Sequence, residues 1–108
     1  MAKILHVDPL PLSRQHVAEV LTAVGHEVVS TDGPSSVGAG LEFDLEIWAG
    51  SDLLEAAHRQ PEPSRKILLF AHSGWDRTYA EKNGVPFLSK FSDGAVLAQT
   101  VARLLAKE

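Results

Sequence analysis

The chain has 108 residues, a length typical of one globular domain, which is expected to span residues 1–108. Its residues are 44% hydrophobic and 22% charged, a composition that excludes a disordered segment. Its lack of cysteine excludes disulfides and thiolate sites and favours a cytoplasmic setting, and its formal net charge of −4, without a basic cluster, argues against a nucleic-acid partner. No apolar run approaches the length of a membrane span, and the N-terminal run is too short for a signal peptide, so no membrane partner is expected.

The N-terminal region predicts a strand followed by a helix. Residues 4–7 form a short apolar run with β-branched side chains, and Asp8 and Pro9 end it, which favours a buried strand. An amphipathic helix is predicted next, because apolar residues recur at helical spacing: Val17, Val20, Leu21 and Val24. Gly25 supplies a stop for that helix.

The middle of the chain predicts two more strands with weaker helical patterns after them. Residues 26–31 read as the second strand, and residues 34–42 hold glycine and little apolar surface, so the second helix is expected to be short or irregular. Residues 45–49 form the third strand. The third helix is predicted to start with Ser51 or Asp52 as its N-cap and to end at Pro61.

The C-terminal region holds the most continuous apolar run of the chain. Residues 66–71 predict a central strand that is covered on both faces. A brief fourth helix over residues 75–82 and a fifth strand over residues 85–89 follow, and a last helix covers Gly94–Ala106 with one apolar side. The chain ends shortly after that helix, so no output domain is expected.

Five strands alternating with helices predict a doubly wound, flavodoxin-like α/β fold with a parallel sheet in the order 2-1-3-4-5. In such folds the working groups lie at the carboxyl ends of the strands. The residues expected to be buried in this sheet are Ile4, Val7, Val28, Ile47, Leu68, Leu69 and Phe87.

Two segments of the chain resemble the receiver domains of bacterial response regulators. Residues 3–29, KILHVDPLPLSRQHVAEVLTAVGHEVV, resemble the start of a receiver, and residues 86–105, PFLSKFSDGAVLAQTVARLL, resemble its end. The resemblance implies a magnesium site made by two adjacent acids after strand one and an aspartate after strand three. That aspartate accepts the phosphoryl group, which a hydroxyl residue after strand four and a lysine after strand five stabilise.

This chain departs from the receiver pattern at three of those positions. Asp8 matches the first acid and Lys90 matches the lysine. Pro9 stands where the second acid belongs, Ala49 where the acceptor belongs, and Ala71 where the hydroxyl residue belongs. The resemblance therefore implies a degenerate receiver, or pseudo-receiver, with a remnant of the pocket and with no metal or other cofactor.

Several side chains near this edge have a simpler structural interpretation. Asp52 is an alternative acceptor or only a helix cap, and Ser73 is a substitute hydroxyl or only a turn residue. Asp8 and Lys90 are expected to form a partly exposed ion pair worth about 0 to 1 kcal/mol, so that Lys90→Met barely changes the melting temperature. Trp48 is expected in the core and Trp75 at the surface, where an exposed aromatic side chain would indicate an interface.

Three functions are compatible with these patterns. The favoured one is a non-enzymatic signalling module that contacts a protein partner, or a second copy in a homodimer, through the face made by the fourth helix, the fifth strand and the last helix. The second is an active phosphoacceptor of unusual register in two-component phosphorelay signalling, using Asp52 or Asp8 with Lys90. The third, a small-ligand-binding flavodoxin-like domain, is weaker because no glycine-rich phosphate loop is present.

Overall fold

The computed structural model describes residues 2–33, 43–57 and 66–106. The helices and strands of these ranges are, in chain order, β1 (Lys3–Val7), α1 (Pro11–Ala23), β2 (Glu27–Thr31), β3 (Leu45–Trp48), α2 (Ser51–Ala57), β4 (Ile67–Ala71), α3 (Gly74–Asn83), β5 (Phe87–Ser89) and α4 (Gly94–Ala106). The irregular helix expected over residues 34–42 and the helix end expected at Pro61 lie outside the described residues.

The five strands form one parallel sheet in the order β2-β1-β3-β4-β5, which confirms the predicted topology. The register aligns the strands at their carboxyl ends: Val7 pairs with both Thr31 and Trp48, and Ala71 pairs with Ser89. The residues that follow these strands therefore meet at one edge of the sheet, called the carboxyl edge below.

Both faces of the sheet are covered by apolar side chains. Alternation along β4 sends Leu68 and Phe70 into a cluster with α1 and α4, while Leu69 and Ala71 enter a second cluster that includes Ala80 of α3. This two-sided burial explains why the run of residues 67–71 lacks polar positions.

The prediction of buried residues is confirmed for the central strands of the sheet and is wrong for its edge strands. Ile4, Val7, Ile47, Leu68 and Leu69 are buried, as expected. Val28 and Phe87, predicted to be buried, are only half-buried. Their strands β2 and β5 are the two edges of the sheet, so each has a neighbouring strand on one side only.

Helix ends follow local signals in two places. Gly25 has a φ of +95° just after α1, and Gly84 has a φ of +66° and closes α3, a conformation that glycine adopts without strain. The helices within the described residues are too short or too polar to cross a lipid bilayer.

Candidate functional site

Backbone hydrogen bonds hold the loops of the carboxyl edge against one another. The amide of Asp8 donates to the carbonyl of Thr31 at 3.0 Å, and the amide of Ala49 donates to the carbonyl of Val7 at 3.0 Å. The amide of Lys90 donates to the carbonyl of Ala71 at 2.9 Å. Asp8 and Lys90, which follow non-adjacent strands, are thereby held within side-chain reach of each other.

Asp8 and Lys90 form a close ion pair, with 2.9 Å between Lys90 Nζ and Asp8 Oδ2. The contact agrees with the sequence-based expectation, but the pair is more buried than expected, because only its lysine is partly exposed. The Asp8 side chain is 0% exposed and that of Lys90 is 13% exposed. The reason is that β1 and β3 are central strands, so the residue after β1 is covered by its neighbours.

The Asp8 carboxylate has several further partners. Its Oδ1 accepts the amide N–H of Leu10 at 2.9 Å, and its Oδ2 lies 3.5 Å from Nε2 of His6, which is also fully buried. Burial raises the pKa of Asp8, but contacts with His6, Ser13, the Leu10 amide and Lys90 together outweigh it and hold that pKa well below its usual range. The carboxylate is therefore ionised and neutralised by its own lysine.

The three positions at which the chain departs from the receiver pattern contribute no side-chain oxygen. Pro9 is exposed, Ala49 is half-buried and Ala71 is buried at the end of β4. No group of three or more His, Cys, Asp or Glu residues that could hold a metal ion occurs in the described ranges. Magnesium needs several oxygen ligands, and Asp8, the one of the receiver-site positions that carries a carboxylate, already contacts Lys90.

Asp52 lies on the first turn of α2, where its side chain is exposed. The prediction that Ser51 or Asp52 caps this helix is wrong, because the helix begins at Ser51 itself. The amide N–H of Ser51 donates to Oδ1 of Asp76 at 2.8 Å, so the start of α2 is capped by a residue of α3.

Ser73 and Asp76 form a capping arrangement at the start of α3. The Ser73 hydroxyl accepts the Asp76 amide N–H at 3.1 Å and donates to Asp76 Oδ2 at 2.5 Å. Burial raises the pKa of Asp76, but hydrogen bonds from Ser73 and Ser51, with the charge of His72, lower it overall. The Ser73 hydroxyl is thus engaged in holding the helix start.

Asp76 is the structurally important residue that the sequence reasoning missed. The spacing of Ser73 and Asp76 at the start of a polar helix is a capping signal that reveals the local part of its role. Its bond to Ser51 joins residues that are 25 positions apart, and no local pattern predicts such a contact.

Exposed apolar side chains surround the carboxyl edge. Trp75 is 85% exposed at the start of α3, Phe91 is 86% exposed after β5, and Leu12 is 81% exposed at the start of α1. Trp48 is 1% exposed, so the core position predicted for it and the surface position predicted for Trp75 are both confirmed. Large exposed apolar side chains gathered at one edge are typical of contact surfaces.

No family model and no curated protein sequence matches the chain. Solved structures do match it. A response regulator receiver protein from Burkholderia phymatum is 16% identical, with 100% of this chain and 98% of that chain covered and a TM-score of 0.84. A receiver domain protein from Methanospirillum hungatei is 19% identical, with 97% and 94% covered and a TM-score of 0.81. A chemotaxis response regulator of Vibrio cholerae is 23% identical, with 96% and 98% covered and a TM-score of 0.78.

These likenesses extend over almost the whole of each chain, and they establish the fold of a receiver domain, as the two matching segments of the sequence implied. At such low identities they establish the fold alone. The chemistry depends on the residues of the carboxyl edge.

Proposed function

We propose that this chain is a non-enzymatic signalling module, a pseudo-receiver that acts by contact with another protein and not by accepting a phosphoryl group. In this proposal residues 1–108 are one unit that works in the cytoplasm, where a chain without cysteine needs no oxidising environment.

One observation carries the proposal: the Asp8 carboxylate is buried and ion-paired with Lys90 at 2.9 Å, while Ala49 occupies the matching place after β3. An alanine methyl is neither a nucleophile nor a metal ligand. An Asp8 oxygen that attacked a phosphorus atom would need to leave Lys90 and reach solvent, and its full burial opposes that.

The environment of Lys90 also argues against phosphate binding. Its ammonium is already neutralised by Asp8, so it offers little net charge to a phosphoryl group. Ala71 has no hydroxyl with which to hydrogen-bond such a group, and the Ser73 hydroxyl is bonded to Asp76. A phosphoryl group at this edge would thus lack the hydroxyl that receivers use after strand four to respond to it.

A protein partner is supported by the exposed apolar side chains near α3, β5 and α4, which correspond to the fourth helix, the fifth strand and the last helix of the sequence-based prediction. Trp75 begins α3, Phe91 follows β5, and Val96, which is 39% exposed, lies in the first turn of α4. Aromatic side chains are enriched at protein interfaces. A second copy of the chain is the alternative occupant of this face, whereas the net charge of −4 disfavours nucleic acid.

The test is incubation of the intact chain with acetyl phosphate and magnesium, followed by intact mass measurement of the wild type and of Asp8→Ala and Asp52→Ala. We expect no gain in mass in any of the three. A stoichiometric gain of one phosphoryl group that either variant abolishes would replace this proposal with the active phosphoacceptor of unusual register. Saturable binding of a small ligand, such as a nucleotide, would favour the flavodoxin-like binding domain instead.

A further inference from the structure

A shallow groove lies between the start of α3 and strand β5 in the described part of the chain. Its volume is about 190 Å³, and it is lined by His72, Ser73, Gly74, Arg77, Phe87 and Ser89. We refer to it as the α3–β5 groove. Two of the most exposed aromatic side chains adjoin it: Trp75 follows Gly74 directly, and Phe91 packs edge-on against His72 with ring centroids 6.2 Å apart.

Arg77 is the distinctive group of this groove. Its guanidinium carbon lies 5.4 Å from the centroid of the Phe87 ring, so the side chain is held over an aromatic face. Among the described residues no carboxylate forms an ion pair with it. The adjacent acid, Asp76, accepts hydrogen bonds from Ser51 and Ser73 instead. Arg77 is thus an oriented cation whose side-chain donors have no hydrogen-bond partner among the described residues.

We propose that the α3–β5 groove binds an acidic segment of a partner protein, which places a carboxylate on Arg77 and an adjacent apolar side chain against Trp75 and Phe91. This inference rests on the proposed function, because it names the chemistry of the partner that such a contact module would recognise.

The charges decide between this occupant and others. A guanidinium matches a carboxylate in a two-point hydrogen-bonded pair, and stacking on Phe87 reduces the conformational freedom that Arg77 loses on binding. A phosphate group carries up to two charges and calls for more than one cation, but Lys90, on the same edge, is already neutralised by Asp8. A basic segment would place like charges beside Arg77.

The aromatic side chains set the second requirement. Trp75 and Phe91 each expose more than four fifths of their surface, at 85% and 86%. Burying large aromatic side chains around a charged pair removes water from it, and such arrangements concentrate the binding energy of protein interfaces. A partner segment with a carboxylate but no adjacent apolar side chain would contact Arg77 and leave Trp75 and Phe91 exposed.

The experiment is selection of random twelve-residue peptides, displayed on phage, against the intact immobilised chain. The expected result is enrichment of sequences with Asp or Glu next to an aromatic or aliphatic residue. One selected peptide is then synthesised, and its dissociation constant is measured against single-residue variants. We expect Arg77→Glu and Trp75→Ala each to weaken binding about tenfold or more, and Arg77→Lys to give a smaller loss because it keeps the charge without the planar donor pair.

Two matched variants control for general effects of charge and apolar surface. Arg103→Glu makes the same charge change at an exposed position of α4. Val24→Ala removes exposed apolar surface directly after the last residue of α1, at the end of that helix that is far from the carboxyl edge. Neither should change the affinity by more than about twofold. Because Arg77 and Trp75 are exposed, circular dichroism should show that their variants fold normally.

Three results would overturn the proposal: no enrichment above the bare support, enrichment of peptides without a carboxylate, or equal affinity for the wild type and Arg77→Glu. Each is distinct from failure of the proposed function, which would show as a gain of one phosphoryl group in the acetyl phosphate experiment. A chain that accepts a phosphoryl group and still selects acidic peptides would refute the pseudo-receiver and leave the groove assignment intact.

Discussion

At the scale of single residues, the unusual group is a carboxylate that folding has removed from water. Asp8 is fully buried, and Lys90 is the cation closest to its carboxylate among the described contacts, whereas Arg14 Nη1 donates to its backbone carbonyl at 2.7 Å. Removing one partner of a buried pair leaves the other charge uncompensated, and this costs far more than losing a surface pair. The sequence-based expectation that Lys90→Met is nearly neutral therefore does not follow from the observed burial.

We expect Lys90→Met to lower the free energy of unfolding by about 3 kcal/mol, as measured by urea denaturation. The matched control is Lys82→Met, which removes an exposed lysine in the last turn of α3 and should cost less than about 0.5 kcal/mol. In an Asp8→Asn background the effect of Lys90→Met should be clearly smaller, because no buried charge is then stranded. Equal losses in the two backgrounds would mean that the pair is not coupled.

The lowered pKa of Asp8 makes stability depend on pH in a defined direction. A carboxyl group whose pKa is lower in the folded than in the unfolded chain stabilises the fold while it is ionised. That contribution is complete well above the unfolded value of about 4 and is lost progressively as the pH falls below it. We expect unfolding free energies measured between about pH 3 and pH 6 to fall more steeply with acid in the wild type than in Asp8→Asn. Parallel curves for the two proteins would contradict the assignment.

At the scale of helices and strands, sequence patterns predict the features that depend on neighbouring residues. They miss the features that depend on contacts with residues far along the chain. The bounds predicted for the last helix, Gly94–Ala106, are confirmed, since its apolar positions recur at helical spacing. Val28 and Phe87 are apolar residues of predicted strands, which places them in the expected core, but position in the sheet, and not composition, makes β2 and β5 edge strands. The Asp8–Lys90 contact was predictable because both residues follow strands at one edge, whereas their burial was not.

The start of α2 is held by Asp76, and this link between α2 and α3 is testable. Asp76→Ala removes a charged acceptor from the Ser51 amide and from the Ser73 hydroxyl, so we expect a loss of about 2 to 3 kcal/mol in unfolding free energy. Ser73→Ala is the matched comparison, since it removes only the local cap of α3 and should cost about 1 kcal/mol.

Amide hydrogen exchange locates the effect of Asp76. In Asp76→Ala we expect faster exchange in the first turn of α2 as well as in α3, because Ser51 loses its acceptor. In Ser73→Ala the faster exchange should be confined to α3. Unchanged exchange of α2 in Asp76→Ala would show that the bond between the two helices does not stabilise α2.

At the scale of the whole molecule, the sheet separates two apolar clusters, and the adjacent residues Leu68 and Leu69 report on one cluster each. Both side chains are 0% exposed, although they point in opposite directions.

We expect Leu68→Ala and Leu69→Ala each to lower the unfolding free energy by about 3 to 5 kcal/mol in urea denaturation, since each leaves a cavity in a covered layer. Val28→Ala, on an edge strand, is the control and should cost clearly less because Val28 is only half-buried. A domain of this size has a total stability of about 5 to 15 kcal/mol, so the double variant should unfold at a much lower urea concentration than either single variant. A loss below about 1 kcal/mol at either leucine would show that one face of the sheet is open to water, which would refute the doubly covered architecture on which the carboxyl-edge site depends.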